Sequence, residues 1–158
     1  MSGHLKKFIL LLVLFSCQQT KKKLPTKIYE NDNIKIQSLQ FVADSLYKQN
    51  SYLEAIRYFD TLIKLDPRNG EFYYRRGFSY DMIYKKPELK EAIEDYLKSI
   101  ELGYEKADSY YNLGLSYLFE EDSTALFYFE KSLEINPNNH KVIVLLEQCK
   151  KRLRNKHH

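Results

Sequence analysis

Several residue types are scarce or missing. Tryptophan is absent, and only five glycines and four prolines occur among 158 residues. A sandwich or barrel of short strands needs frequent turn residues, so this scarcity argues against an all-β fold. The two cysteines, Cys17 and Cys149, are too few and too far apart to predict a disulfide framework. Lysine and arginine outnumber the acidic residues by only 25 to 21, which does not indicate a nucleic-acid partner.

Motifs that carry chemistry are also missing from the sequence. No histidine lies at metal-binding spacing from a cysteine or another histidine, and no glycine-rich phosphate loop or nucleophile elbow occurs. Acidic runs such as Glu120-Glu121-Asp122 are typical of solvated turns and faces. The sequence therefore predicts no catalytic residue, no metal site and no cofactor, and we do not expect an enzyme.

The N-terminus has the layout of an export signal. Lys6 and Lys7 precede an unbroken apolar run of eight residues, Phe8 to Phe15, and small Ser16 follows. A helix that crosses a bilayer needs about 20 apolar residues. The run is therefore long enough for an export signal but too short to span a membrane.

The end of that signal, Leu14-Phe15-Ser16-Cys17, resembles the lipobox of bacterial lipoproteins. The resemblance implies a signal peptide over 1–16, removed after a diacylglyceryl group is attached to the Cys17 thiol, with acylation of the new amino group. Two or more acyl chains hold a protein firmly on a membrane. Gln18 stands where an aspartate would favour retention at the inner membrane, so we expect the outer membrane. The alternative is an ordinary cleaved signal with an incidental cysteine.

A polar segment follows the cysteine. Residues 17–35 contain Lys21-Lys22-Lys23 and Pro25 and show little apolar periodicity. We expect a lipidated N-terminus and a flexible tether here. Its lysines would either contact anionic lipid heads or remain simply solvated.

The remainder of the chain repeats. Asp66-Pro67 recurs as Asn136-Pro137, 70 residues later, which is two periods of 35. Three alanines each precede an aromatic residue by one helical turn, and three small residues precede the alanines. The alanine and aromatic pairs are Ala55 and Phe59, Ala92 and Tyr96, and Ala125 and Phe129; the small residues are Ala43, Gly77 and Gly114.

This spacing predicts pairs of helices in which small residues allow close packing. The first helices are expected at about 36–48, 71–84 and 107–119, and the second helices at about 52–65, 88–102 and 123–135. Proline ends the second helix in the first and third pairs. In the middle pair Gly103-Tyr104 occupies that position.

The pattern resembles the tetratricopeptide repeat, TPR. The third unit is the nearest match, with Tyr110-Tyr111-Asn112-Leu113-Gly114 and Pro137. Residues 101–117 also look like the related Sel1-like repeat. The resemblance implies an all-α, right-handed α-solenoid of three TPR repeats over 36–139, with limits at 36–69, 70–106 and 107–139.

Residues 140–158 are predicted to form a capping helix and a basic tail. Apolar residues such as Val142 and Leu146 alternate with lysines and arginines, which suits the polar outer face of a terminal cap. Cys149 is expected to be a buried, reduced packing residue. The alternative is a basic tail that binds a partner.

The TPR resemblance also implies a partner-binding groove lined by the first helices. An aromatic strip with one cation near its middle would hold an extended peptide or a partner helix. The lysine and asparagine pairs by which TPR chaperone adaptors bind a terminal carboxylate are missing. By position, the expected groove residues are Phe41, Asp44, Tyr74, Arg75, Phe78, Tyr111, Asn112 and Leu115.

These observations predict a membrane-anchored scaffold or adaptor that binds proteins in the bacterial cell envelope. The alternative is an envelope enzyme or enzyme subunit whose site the sequence does not show. An open aromatic groove would favour the scaffold, and a deep pocket with converging titratable groups would favour the enzyme.

Overall fold

The computed structural model describes residues 26–84, 90–104, 106–118 and 122–156. The chain divides into two compact units, Met1–Ile34 and Lys35–His158. Of the first unit the structure describes residues 26–34, which are helical. The signal peptide and Cys17 lie outside the described residues.

The described residues contain seven α-helices and no strand, which confirms the all-α fold class. The helices form three pairs and a final single helix. They are α1 (Thr26–Lys48), α2 (Tyr52–Leu65), α3 (Gly70–Tyr84), α4 (Lys90–Glu101), α5 (Ala107–Tyr117), α6 (Asp122–Ile135) and α7 (His140–Lys156).

Each pair is packed around the aromatic side chain that follows its alanine. Phe59, Tyr96 and Phe129 are all fully buried. Phe59 shares a buried cluster with Phe72 of the next pair, and Tyr96 shares another with Leu113 of the third, so each cluster joins one pair to its neighbour. The predicted spacing of alanine and aromatic residues therefore marks the core of every pair.

Two glycines allow the helices of a pair to approach closely. A Cβ at Gly114 would lie 2.4 Å from Phe129 Cε1, and one at Gly77 would lie 3.0 Å from Asp95 Cβ. The first distance leaves no room for a methyl group, because the buried Phe129 ring has nowhere to move. The close-packing role predicted for both glycines is confirmed.

The middle pair ends differently from its neighbours. Helices α2 and α6 stop just before Asp66-Pro67 and Asn136-Pro137. After α4, Gly103 adopts a positive φ of 82°, and the Tyr104 amide donates a hydrogen bond to the Ser99 carbonyl at 3.0 Å. A left-handed glycine with this bond terminates a helix as effectively as a proline.

Helix α7 covers the open side of the third pair. Val142, Leu146 and Cys149 are buried against a cluster that contains Ala125 and Phe129. Cys149 is a buried, reduced thiol, as expected, and its Sγ accepts a hydrogen bond from Arg152 Nη2 at 3.4 Å. The predicted capping helix is therefore present.

The helix limits differ from expectation mainly at the N-terminus. Helix α1 begins at Thr26 and not at 36, so residues 26–35 are helical where a flexible tether was predicted. Residues 32–35 are exposed, so apolar periodicity could not reveal this part of the helix. Helix α5 ends two residues early, at Tyr117. The Lys85-Lys86-Pro87 turn lies outside the described residues.

We expect Gly114→Ala to destabilise the fold by about 1–3 kcal/mol, because the new methyl group overlaps the Phe129 ring. Urea unfolding followed by circular dichroism measures the change. Gly77→Ala is the matched comparison: its Cβ meets Asp95 Cβ at 3.0 Å, and the helix gains propensity, so the loss should be smaller. Equal or increased stability in Gly114→Ala would contradict the close-approach explanation.

Candidate functional site

The first two pairs are joined on one side by an ion cluster around Arg75. Its Nη1 lies 3.2 Å from Asp44 Oδ1 on α1. Its Nε and Nη2 donate to Glu71 Oε1, one turn earlier on α3, at 3.0 and 2.7 Å. Burial lowers the pKa of Arg75, but the Glu71 and Asp44 carboxylates outweigh that effect and raise it. Arg75 therefore stays charged and links α1 to α3.

Aromatic rings continue from this cluster across the same side. The centroid of the Phe78 ring lies 5.6 Å from that of Tyr47 and 6.1 Å from that of Tyr52. The centroid of the Tyr74 ring lies 6.4 Å from that of Phe78 and 5.6 Å from that of Tyr104. We call these five residues the aromatic strip. All five are partly exposed. The strip joins α1, the start of α2, α3 and the turn after α4 into one surface.

Three phenols of the strip, those of Tyr47, Tyr74 and Tyr104, are held neutral by burial. Burial raises the pKa of Tyr47 to about 12, and it also raises the pKa values of Tyr74 and Tyr104. These three residues therefore present ring faces and neutral hydroxyl groups at any physiological pH. Such a surface suits protein contacts, since tyrosine buries a large area at low entropic cost.

The structure brings four of the predicted groove residues together. Asp44, Tyr74, Arg75 and Phe78 all belong to the ion cluster or to the aromatic strip. Sequence reasoning missed Tyr47, Tyr52 and Tyr104. Tyr47 carried a usable signal, because it follows Asp44 by three residues and so shares its helix face. Tyr52 and Tyr104 sit next to turns, where no periodic signal exists.

The other four predicted groove residues lie outside the ion cluster around Arg75 and outside the aromatic strip. Phe41, one turn before Asp44 on α1, is 76% exposed. Tyr111 and Leu115 on α5 pack against the buried cluster that contains Ala125 and Phe129. The centroids of the Tyr111 and Phe129 rings lie 6.4 Å apart. The Asn112 Nδ2 is buried and has no hydrogen-bond partner among the described residues. This amide group is therefore a buried, unsatisfied hydrogen-bond donor of α5.

A cavity beside α7 extends the surface beyond the predicted residues. It has a volume of about 490 Å³ and is lined by Tyr111, His140, Lys141, Val144 and Leu145. Val144 is 56% exposed, although it lies in the apolar pattern of the capping helix. The capping helix thus contributes to the same side as α5, which the sequence analysis did not foresee.

A second ion cluster joins the first pair to the middle pair. Arg76 donates to Asp95 through Nε and Nη2, at 2.8 and 2.7 Å, and to Asp60 through Nη1, at 2.7 Å. Asp95 is almost fully buried. Arg76 occupies the repeat position held by Val42 and by the fully buried Leu113, so the two carboxylates balance a cation at an otherwise apolar position.

The middle pair also contains a perturbed carboxyl group. The buried Tyr96 hydroxyl donates to Asp81 Oδ2 at 2.6 Å. Burial raises the pKa of Asp81 to about 6, although this hydrogen bond lowers it in part. Asp81 therefore changes its ionisation in mildly acidic solution.

The described residues show neither a metal centre nor a membrane-spanning helix. They contain no group of histidine, cysteine or acidic side chains that could hold a metal ion. Within the same ranges no helix has the length and apolar character needed to cross a bilayer.

The geometry defines a repeat scaffold: helix pairs in series, with the first helices sharing one aromatic surface. The tetratricopeptide repeat family model matches residues 36–69 and 107–139, which are the first and third pairs. These two stretches therefore match the tetratricopeptide repeat. A comparison with curated protein sequences finds no significant match.

Solved TPR structures resemble the chain over most of its length. The MamA protein is 26% identical, with a TM-score of 0.68 over 83% of this chain and 72% of MamA. YrrB, a TPR protein with an unusual peptide-binding site, is 26% identical, with a TM-score of 0.67 over 78% of this chain and 63% of YrrB. The first TPR of Spaghetti (RPAP3), bound to the HSP90 peptide SRMEEVD, is 23% identical, with a TM-score of 0.66 over 75% of this chain and 93% of the RPAP3 chain.

We expect the free energy of unfolding to rise as the pH falls from 7 to 5. The folded-state pKa of Asp81, raised from 3.8 to about 6, lets the folded chain take up a proton that the unfolded chain does not. This contribution is about 1 kcal/mol over that interval. Urea unfolding at both pH values measures it, and Asp81→Asn, which cannot titrate, should lack it. An identical pH dependence in the parent and the variant would show that Asp81 is not the responsible group.

Proposed function

We propose that this chain is a lipid-anchored scaffold of the bacterial cell envelope that holds an extended peptide segment of a partner protein. The observation that carries this proposal is the aromatic strip. In it, α1, the start of α2, α3 and the turn after α4 place five rings on one open surface. Rings of this kind, half-buried and fixed by their neighbours, are the usual anchors of protein interfaces.

The rigid backing of the strip supports peptide capture. Tyr74 packs on the fully buried Tyr96 at 5.9 Å, and Arg75 fixes α1 to α3 through Asp44. A surface that is ordered before binding loses less conformational entropy when the partner arrives.

The similar structures support the same mode of binding. The RPAP3 domain holds a peptide of HSP90, and YrrB has a peptide-binding site. The open form of the aromatic strip favours a scaffold over the alternative of an envelope enzyme, which would need titratable groups converging in a deep pocket.

The membrane anchor rests on the sequence. Lys6-Lys7, the apolar run and Leu14-Phe15-Ser16-Cys17 give the order of features that lipoprotein processing requires. In this proposal Cys17 becomes the acylated N-terminal residue, and the repeats face the periplasm or the cell surface. Gln18 favours the outer membrane in a cell with two membranes.

Mass spectrometry of the protein purified from membranes tests the anchor. We expect an N-terminal peptide that begins at Cys17 and carries diacylglyceryl, with a further acyl chain on its amino group. Cys17→Ser is the matched control, because it removes the thiol and should leave the signal uncleaved. An unmodified Cys17, or cleavage at another bond, would reject the anchor and leave the peptide-binding surface untouched.

Substitution of Tyr104 tests the surface. Crosslinking in membranes followed by a pull-down identifies the partner, and titration then measures its affinity. Tyr104→Ala removes a partly exposed ring of the strip but keeps the Cβ that packs against Gly70. We therefore expect the binding free energy to weaken by about 2 kcal/mol, roughly thirtyfold in affinity, with little change in melting temperature. Tyr74 is less suitable because its ring also supports Tyr96.

Tyr84→Ala is the matched control for this test. Tyr84 is 53% exposed and stacks on Tyr80 at 6.4 Å, outside the aromatic strip. We expect the partner to bind this variant as it binds the parent. Loss of binding in Tyr84→Ala together with full binding in Tyr104→Ala would move the site to another face.

A further inference from the structure

We infer that the cavity beside α7 is a second docking site, which takes an apolar side chain of a partner peptide that also carries aspartate or glutamate. This site shares no residue with the aromatic strip, so it goes beyond the proposed function and does not depend on peptide binding at the strip. It is carried by the lining of the cavity, by the exposed Val144 and by the uneven charge of α7.

The cavity has a fixed apolar wall. Tyr111 and Leu145 line it, and both also pack against the buried cluster that contains Phe129. Val144 belongs to the same lining and is 56% exposed, so much of its side chain remains in contact with water. The volume of about 490 Å³ falls within the range of ligand sites in proteins, about 300–1,000 Å³. An apolar side chain placed here would cover Val144 on a surface that is ordered beforehand.

The described lining of the cavity carries N–H donors and no carboxylate. Lys141 and His140 both line it, both are exposed, and neither has an ion-pair partner among the described residues. The only acidic residues of α5 and α7 are Asp108 and Glu147. Neither of them lines the cavity, and Glu147 already pairs with Lys150 at 3.2 Å. The lining can therefore donate to a carboxylate but offers no charged partner to a basic ligand.

The charge of α7 favours the same ligand. The helix contains six lysines and arginines but a single acidic residue, Glu147. Lys151 is exposed and follows Val144 by seven residues, so it lies on the same face of the helix. The helical rise places it roughly 10 Å beyond Val144, which is about three residues of extended peptide. A peptide whose apolar side chain fills the cavity would therefore bring one nearby carboxylate to Lys141 and another, about three residues on, to Lys151.

The experiment selects peptides from a random library displayed at the N-terminus of a phage coat protein, with the full chain as the target. In this display the peptide has no free C-terminal carboxylate, so every carboxylate belongs to an aspartate or a glutamate. A parallel selection on Val144→Glu identifies the peptides that need the cavity, because the new carboxylate repels an acidic ligand. We expect the peptides selected only by the parent to carry aspartate or glutamate within about three positions of an apolar residue.

Synthetic copies of these peptides, with both ends blocked, assign the contacts. Replacing the apolar residue by alanine should weaken binding about tenfold, and replacing the acidic residue by glutamine about threefold. Lys141→Gln should weaken the acidic peptide about threefold but leave its glutamine copy unchanged, because only the acidic peptide uses the ammonium group. Lys64→Gln is the matched control: Lys64 is an exposed lysine in the last turn of α2, and its loss should change neither affinity. Melting temperatures establish that all the variants remain folded.

The outcomes separate this site from the aromatic strip. Peptides of the cavity should bind Tyr104→Ala as they bind the parent. If the parent and Val144→Glu select the same peptides, or none, the inference is overturned, and Tyr104→Ala alone then decides the proposed function. Basic peptides, or an equal effect of Lys141→Gln on the acidic peptide and its glutamine copy, would also overturn it. Binding to phosphatidylglycerol vesicles that Val144→Glu abolishes, with no peptide selected, would assign the surface to lipid instead.

Discussion

The contact on which the rest of the structure depends is the close approach of two helices at a residue with little or no side chain. At Gly114 the space for a Cβ is occupied by the Phe129 ring, and at Gly77 by Asp95 and the Ala92 carbonyl. This approach fixes the two helices of a pair relative to each other. The next pair then covers the remaining apolar face, so one local contact repeats along the chain.

Because the pairs stack in one register, corresponding positions of the first helices face the same side. This explains the different roles of two adjacent arginines. Arg75 joins Asp44 to Glu71 and supports the aromatic strip, whereas Arg76 lies between Asp60 and Asp95. The first arginine links α1 to α3, and the second links α3 to α2 and α4.

The fold could be predicted from the sequence because its information is local and periodic. Alanine and aromatic residues one turn apart, with small residues ahead of them, mark each helix pair without any knowledge of distant contacts, and a proline follows the first and third pairs. The N-terminal part of α1 escaped this reasoning, since residues 32–35 are exposed and carry no apolar period. Tyr52, the first residue of α2, and Tyr104, in the turn after α4, escaped it because they lie at helix ends, where no periodic signal exists.

The sequence by itself determined the helix pairs, their order and the capping helix, since spacing alone specifies which side chains can pack within a pair. The tertiary structure decided how charges and rings from different pairs combine. Only the stacked helices show that Arg75 is held between two carboxylates, that Tyr104 joins the rings of α3, and that α7 borders the cavity beside Tyr111. These contacts join residues far apart in the chain, and local periodicity carries no information about such distances.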